Sequence, residues 1–179
     1  QTVDAQVAIM SEVIEVLHNG RQQRGFAFRA VDDRGNEHSF EQTLEFLDAQ
    51  VDALERRVPE GRELMASMGS WYGGVGTGYL SCYRYYSYGG CWAYTQAADG
   101  FPVDFVILAL SVTVSGEGFG CETTYNNVTT GNPTATLYSP GLGLPGGCSG
   151  GVEEVDGRGN HTIVPQFGDP EFGSTRVTV

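Results

Sequence analysis

Between Trp71 and Tyr94 the chain gathers both of its tryptophans and most of its tyrosines among glycines, and Cys82 and Cys91 bracket the middle of the stretch. Rings interleaved with glycine at no helical spacing read as strand. A cysteine on each side of Ser87 to Gly90 then predicts a twisted hairpin clamped by a disulfide. On the strand Tyr79 to Tyr86, alternation puts Tyr79, Tyr83 and Tyr85 on one face, and Leu80, Cys82, Arg84 and Tyr86 on the other. A sheet with one face in a core and one in water has no use for rings on both. The expectation is that Trp71, Tyr72, Tyr79, Tyr83, Tyr85, Tyr86, Tyr88 and Trp92 form a contact surface, covered by another subunit or by a ligand such as a polysaccharide.

All four cysteines, Cys82, Cys91, Cys121 and Cys148, fall in the half rich in glycine, threonine and tyrosine. An even number so placed predicts two disulfides and an oxidising compartment, hence a secreted or cell-surface protein. Near neighbours in a hairpin pair most readily, which gives Cys82–Cys91 and Cys121–Cys148. No Cys-x-x-Cys occurs and no histidine stands beside a cysteine, so a zinc site is not expected. Asn127-Val-Thr129 and Asn160-His-Thr162 are formal glycosylation sequons.

The net charge is −12 and the ten basic residues are all arginine. Phosphate backbones need clustered cations, so nucleic acid is excluded as a partner. The absence of lysine excludes Schiff-base and Walker-type chemistry. The longest apolar run, Phe105 to Leu110, is far short of the roughly 20 residues of a spanning helix, so no membrane span is expected.

Val3, Val7, Met10, Ile14 and Leu17 recur at helical spacing, and Asn19-Gly20 looks like a C-cap. Leu44, Leu47, Val51, Leu54 and Val58 predict a second helix. Ser39 and Gln42 form a capping box at its start, and Pro59 ends it. Between the helices, Gly25 to Val31 and Glu37 to Phe40 flank the polar turn Asp32 to Asn36 and predict a small hairpin. Each apolar seam is short, suited to a local core or to pairing between subunits. The turn sequence from Val31 to Asn36 nearly recurs from Val155 to Asn160, which suggests a second hairpin turn of the same chemistry. Asp32, Asp33 and Asn36 could face calcium, but the spacing of a calcium loop is missing.

From Ser70 onward the pattern is β. Tyr79 to Tyr86 and Cys91 to Gln96 form the clamped hairpin, and Phe101 to Ser115 follows. Cys121 to Thr129 is expected to pair with Thr134 to Tyr138, ahead of a long loop pinned at Cys148. His161 to Val164 and Ser174 to Val179 complete the strands. The last of these, with Val177 and Val179, presents an edge that a neighbouring molecule could extend. The predicted fold is α+β: a helix, β-hairpin, helix arm over residues 1–62, then a disulfide-braced antiparallel β domain over residues 63–179.

Gly147-Cys148-Ser149-Gly150-Gly151 resembles the Gly-x-Ser-Gly-Gly around the nucleophile of chymotrypsin-like serine proteases. The resemblance covers those five residues, and implies a histidine and an aspartate brought to Ser149. His18 and His38 stand at helix boundaries, and a helical first third does not suit a double β-barrel. Glu153, Glu154 and Asp156, like Asp32 and Asp33, could serve a glycosidase only if facing across a cleft; in an acidic chain they are expected to be solvated surface. No catalytic, cofactor or metal residue is therefore assigned. The expected role is structural: a secreted or cell-surface protein that packs against copies of itself in a filament, sheath or surface layer. The alternatives are a carbohydrate-binding module using the Trp/Tyr surface and a small secreted hydrolase.

Overall fold

A computed structural model describes residues 1–56 and 75–179. The fold is α+β. Helix α1 (Val3–Gly20) leads into β1 (Ala27–Asp32), β2 (Glu37–His38) and helix α2 (Phe40–Arg56). The strands β3 (Gly76–Arg84), β4 (Gly89–Ala97), β5 (Val103–Gly116), β6 (Glu122–Gly131), β7 (Thr134–Tyr138), β8 (Val152–Pro165) and β9 (Glu171–Thr178) follow. They form two antiparallel sheets, one ordered β2-β1-β3-β4-β7 and the other β6-β5-β8-β9.

Three layers result. One core fills the space between the sheets, from Leu80, Ala93 and Leu137 on one side to Val106, Leu108, Val112 and Val155 on the other. A second core lies on the far face of the five-stranded sheet, where Met10, Val13 and Leu17 of α1 and Leu44, Phe46 and Leu47 of α2 meet Tyr79, Tyr83, Trp92 and Tyr94. β1 pairs with β3 from Ala27↔Arg84 to Asp32↔Tyr79, so the arm lends a strand to the β region and both share this sheet.

Both helices begin as their sequences dictate. Thr2 accepts a hydrogen bond from the Ala5 amide at 3.1 Å. Ser39 and Gln42 make the reciprocal pair, at 2.8 and 3.1 Å, that satisfies two otherwise orphaned donors. The buried stripe of α1 is Gln6, Met10, Val13 and Leu17, rotated from the expected seam so that Val3 is exposed. Gly20 is also not the left-handed cap expected: the helix runs through it, and it is there because the Tyr85 phenol occupies the space a side chain would need.

β6 and β7 do not pair with each other, contrary to the sequence expectation; they belong to opposite sheets. Every residue of β7 is buried. Ala135 and Leu137 enter the core between the sheets, and Tyr138 enters the core under the helices. Such a strand needs cover on both sides, which only the five-stranded sheet offers. β6, with one wet face, stays on the other. The free edge of β7 is closed by α1. The Gln1 side-chain amide donates to the Thr136 carbonyl at 2.8 Å and accepts from its amide at 2.9 Å, and Gln6 donates to the Thr134 carbonyl at 3.1 Å.

β8 is far longer than the expected His161 to Val164, and the second copy of the hairpin-turn sequence lies within it as strand. Glycine disguised this strand. A Cβ on Gly157 would lie 2.5 Å from both sulfurs of the Cys82–Cys91 disulfide, which joins directly opposed residues of β3 and β4 and points into the sandwich. The second disulfide, Cys121–Cys148, ties the start of β6 to the loop before β8.

Candidate contact surface

The aromatic face expected to meet a partner is already covered by the chain's own helices. Tyr79, Tyr83, Tyr85 and Trp92 are all buried. Phe46 of α2, which the sequence reading did not single out, packs its ring 5.4 Å from Tyr79, 5.8 Å from Trp92 and 5.4 Å from Tyr94, centroid to centroid. Each polar tip has a partner inside the molecule. Trp92 Nε1 donates to Thr136 Oγ1 at 2.6 Å, Tyr85 donates to the Val16 carbonyl at 2.9 Å and Tyr94 donates to Gln50 Oε1 at 2.9 Å. Tyr79 shares a hydrogen bond with Thr43, and Tyr83 with Tyr138. Burial pushes the Tyr79 and Tyr83 hydroxyls well above the usual phenol range and the Tyr138 hydroxyl up to about 12. These are structural phenols. The premise that rings on both faces require an outside partner therefore fails: one face meets α1 and α2, the other meets the second sheet.

Of the remaining residues expected at the contact, Tyr86 and Tyr88 are exposed, with Arg24 stacked over the Tyr86 ring at 4.4 Å. Val177 is buried. Val179 exchanges two 2.9 Å backbone hydrogen bonds with Val155, so the C-terminal strand pairs within its own sheet. Trp71 and Tyr72 lie outside the described residues.

Among the described residues, no element packs over the outer face of the four-stranded sheet. Register places side chains on it in rows across the strands. The first outward row is Phe105 and Val164. Above it come Thr130, Ile107, Thr162 and Phe172, then Val128, Ala109, Asn160 and Ser174, then Asn126, Ser111, Arg158 and Arg176. Val128 is 62% exposed and Phe172 60%, values that a side chain meant for a core does not show. Phe167, in the turn between β8 and β9, is 84% exposed beside this apolar belt. At the other end of the sheet Phe119 stands fully exposed between two left-handed glycines, Gly118 and Gly120, on a tip anchored by Cys121.

Arg158 and Arg176 are directly opposed on β8 and β9. Like charges so placed repel, and the one carboxylate between them is Asp156, 3.5 Å from Arg158 and 3.3 Å from Arg176. One carboxylate shared by two exposed guanidiniums leaves donors that face outward.

The other polar groups singled out in the sequence are engaged or dispersed. The Asp32 carboxylate accepts from the amides of Arg34 and Asn36, at 2.9 and 3.1 Å, and from His38 Nε2 at 2.9 Å. It is a turn clamp, its acceptors filled by its own loop. Asp33 accepts from the Gly78 amide at 3.0 Å, and burial pushes its carboxyl up to about 6. His161 is buried between the sheets, 2.8 Å from both Thr95 Oγ1 and Thr175 Oγ1, and desolvation lowers it to about 3. His18, His38 and His161 therefore do not converge. Ser149 is exposed in the loop carrying Cys148, and no described residue group of His, Cys, Asp and Glu could hold a metal ion. Asn127 and Asn160 are both exposed, Asn160 in the middle of the outer face. No described helix is long and apolar enough to cross a membrane.

No family model, no curated protein and no solved structure matches this chain.

Proposed function

We propose that this is a secreted or cell-surface structural protein that associates with copies of itself. The observation that carries the reading is the outer face of the four-stranded sheet. In its apolar belt Phe105, Val128 and Phe172 are exposed and Ile107 and Val164 half-buried, while among the described residues the other sheet faces pack against helices or the opposite sheet. Leaving apolar area of this kind exposed costs about 25 cal/mol per Å², which association recovers. Two disulfides, with no free cysteine among the described residues, support an oxidising extracellular setting. An assembly larger than a pair needs a second contact, and Phe119 supplies one at the opposite end of the sheet.

Static light scattering on the oxidised protein over a rising concentration series, with negative-stain microscopy of the most concentrated sample, tests the reading. Mass increasing with concentration is expected. A constant monomer mass throughout counts against it.

A further inference from the structure

Self-association does not say which parts of two copies meet. Besides its faces a β-sheet has two edges, whose outward N–H and C=O groups lack a ladder partner and recruit further strands. Among the described residues, two of the four sheet edges offer no such ladder: β2 is two residues long, and Gln1 and Gln6 hydrogen-bond the outer side of β7. The other two, β6 and β9, bound the four-stranded sheet. Val155 and Val179 exchange both backbone hydrogen bonds, so the odd-numbered residues of β9 bond to β8, and Phe172, Ser174, Arg176 and Thr178 turn their backbone groups outward. The Gly116 amide donates to the Cys121 carbonyl at 2.9 Å, so on β6 the outward groups belong to Glu122, Thr124, Asn126, Val128 and Thr130. Two of these groups are already engaged. The Val128 amide donates to Asn127 Oδ1 at 2.9 Å, and the Thr130 carbonyl accepts from the Gln1 N-terminus at 2.8 Å.

We propose that β9 of one copy pairs with β6 of the next, so that the four-stranded sheet runs on from copy to copy. Neighbouring strands of this sheet are all antiparallel, so with four strands β6 and β9 run in opposite directions. A copy moved along the sheet without being turned over therefore sets its β6 antiparallel to β9, with the outer face continuous. One register suits both edges. It places Phe172 opposite Val128, Ser174 opposite Asn126, Arg176 opposite Thr124 and Thr178 opposite Glu122. The most exposed residues of the belt, Phe172 and Val128, then form an aromatic and β-branched cross-strand pair. Arg176 lies diagonal to Glu122, the one charged residue of β6, while Asp156, one strand further in, keeps its own contact with Arg176. Beyond the ladder Thr130 would meet Pro170, which has no N–H to donate to a carbonyl that Gln1 already fills. The Val128 amide and the Phe172 carbonyl aside, every outward group from Phe172 to Thr178 and from Glu122 to Val128 gains a partner. The contact is head-to-tail, so it generates a row of copies rather than a two-fold pair.

The inference rests on the reading of self-association, and the experiment separates the two. Sedimentation velocity is run on the full oxidised chain from about 1 to about 500 µM, a range spanning micromolar affinity. Proline removes an outward N–H without touching the inner ladder, so Ser174→Pro blocks the β9 edge and Asn126→Pro the β6 edge. Each variant is checked for folding by circular dichroism and is expected to raise the dissociation constant at least about tenfold. Mixed in equal amounts, the two restore one contact, the intact β6 of the first with the intact β9 of the second, and give a heterodimer that grows no further. Asn160→Lys, in the middle of the outer face, is expected to leave association unchanged. Outward side chains report the register without altering the backbone: Phe172→Asp, Val128→Asp should associate at least about tenfold more weakly than Phe172→Lys, Val128→Asp. If only one proline weakens association, a two-fold pairing of that edge replaces the head-to-tail one. If Asn160→Lys weakens it and neither proline does, copies stack by their faces. Either result, or a mixture that stays monomeric, overturns the inference while self-association stands, and equal constants for the two charge variants overturn its register. A wild type that remains monomeric across the range overturns both.

Discussion

A methyl group on Gly20 would sit 1.4 Å from the hydroxyl oxygen of Tyr85. The Tyr85 phenol, just past the end of β3, therefore packs directly on the backbone of the last turn of α1, and from there it donates to the Val16 carbonyl at 2.9 Å. Helix layer and sheet are locked at this point by glycine rather than by an apolar pair.

Gly20→Ala accordingly forces either the helix or the phenol to move and breaks that hydrogen bond. Overpacking of this kind costs about 3 kcal/mol. The ordinary helix preference for alanine, worth about 1 kcal/mol, runs the other way and will not compensate. Chemical denaturation followed by circular dichroism measures the difference. A variant as stable as the parent would show that the seam is looser than the packing implies.

The buried aromatic face yields a second expectation. Phe46 is fully buried against Tyr79, Trp92 and Tyr94. Truncating it in Phe46→Ala leaves a ring-sized void at the centre of the helix-to-sheet core and is expected to cost about 3 to 5 kcal/mol. Were the rings held in reserve for an outside partner, the same change would move stability by well under about 1 kcal/mol, as surface substitutions do. Thermal or denaturant unfolding decides between the two.

A third expectation concerns the inside of the sandwich. Gly157 of β8 faces the Cys82–Cys91 bridge so closely that a Cβ would lie 2.5 Å from each sulfur. Gly157→Ala should cost about 2 to 3 kcal/mol in the native protein, as overpacking does. In a Cys82→Ala, Cys91→Ala background the sulfurs are gone and the methyl has room, so the penalty should shrink to below about 1 kcal/mol. The double-mutant cycle reports this coupling directly. Equal penalties in the two backgrounds would mean that the glycine answers to the strand backbone and not to the bridge.

These relationships explain what could be read from the residues in advance. Caps and bridges depend on side chains close in sequence, so the Ser39/Gln42 box and the cysteine pairing were legible. So was the alternation of β3, down to which tyrosines share a face. What covers that face was not legible. Phe46 lies far from Tyr79 along the chain, and nothing in its own segment says whether a helix returns to its neighbour or reaches a different molecule. β8 escaped for a different reason: where another strand would show inward valine or isoleucine, it shows Gly157 and Gly159, shaped by a disulfide and by the His161 ring brought in by the fold. The phenyls of the outer face looked like ordinary strand residues until register put Phe105, Phe172 and Val128 together.

The last expectation concerns pH, and turns on two buried groups of opposite sense. His161 has a folded-state pKa of about 3 against an ordinary 6.5, because desolvation disfavours the imidazolium. The unfolded chain takes up its proton first, so the stability held in neutral His161 is complete above pH 6.5 and is lost as pH falls towards 3, at about 1.4 kcal/mol per unit. Asp33 is raised by burial from 3.8 to about 6. Its contribution is complete below 3.8 and is lost as pH rises through 6; because Asp33 is only half-buried, solvent screening makes that slope the smaller one. Between pH 3.8 and 6 the two slopes oppose each other, and their combined effect on stability is shallow. Asp33→Asn removes the opposing slope while keeping an acceptor for the Gly78 amide, so the variant should lose stability steeply on acidification from pH 6 to pH 4. His161→Gln should reverse the trend. Unfolding free energies of the parent and both variants at half-unit intervals across this range test the balance, and parallel curves for all three would remove both groups from the account.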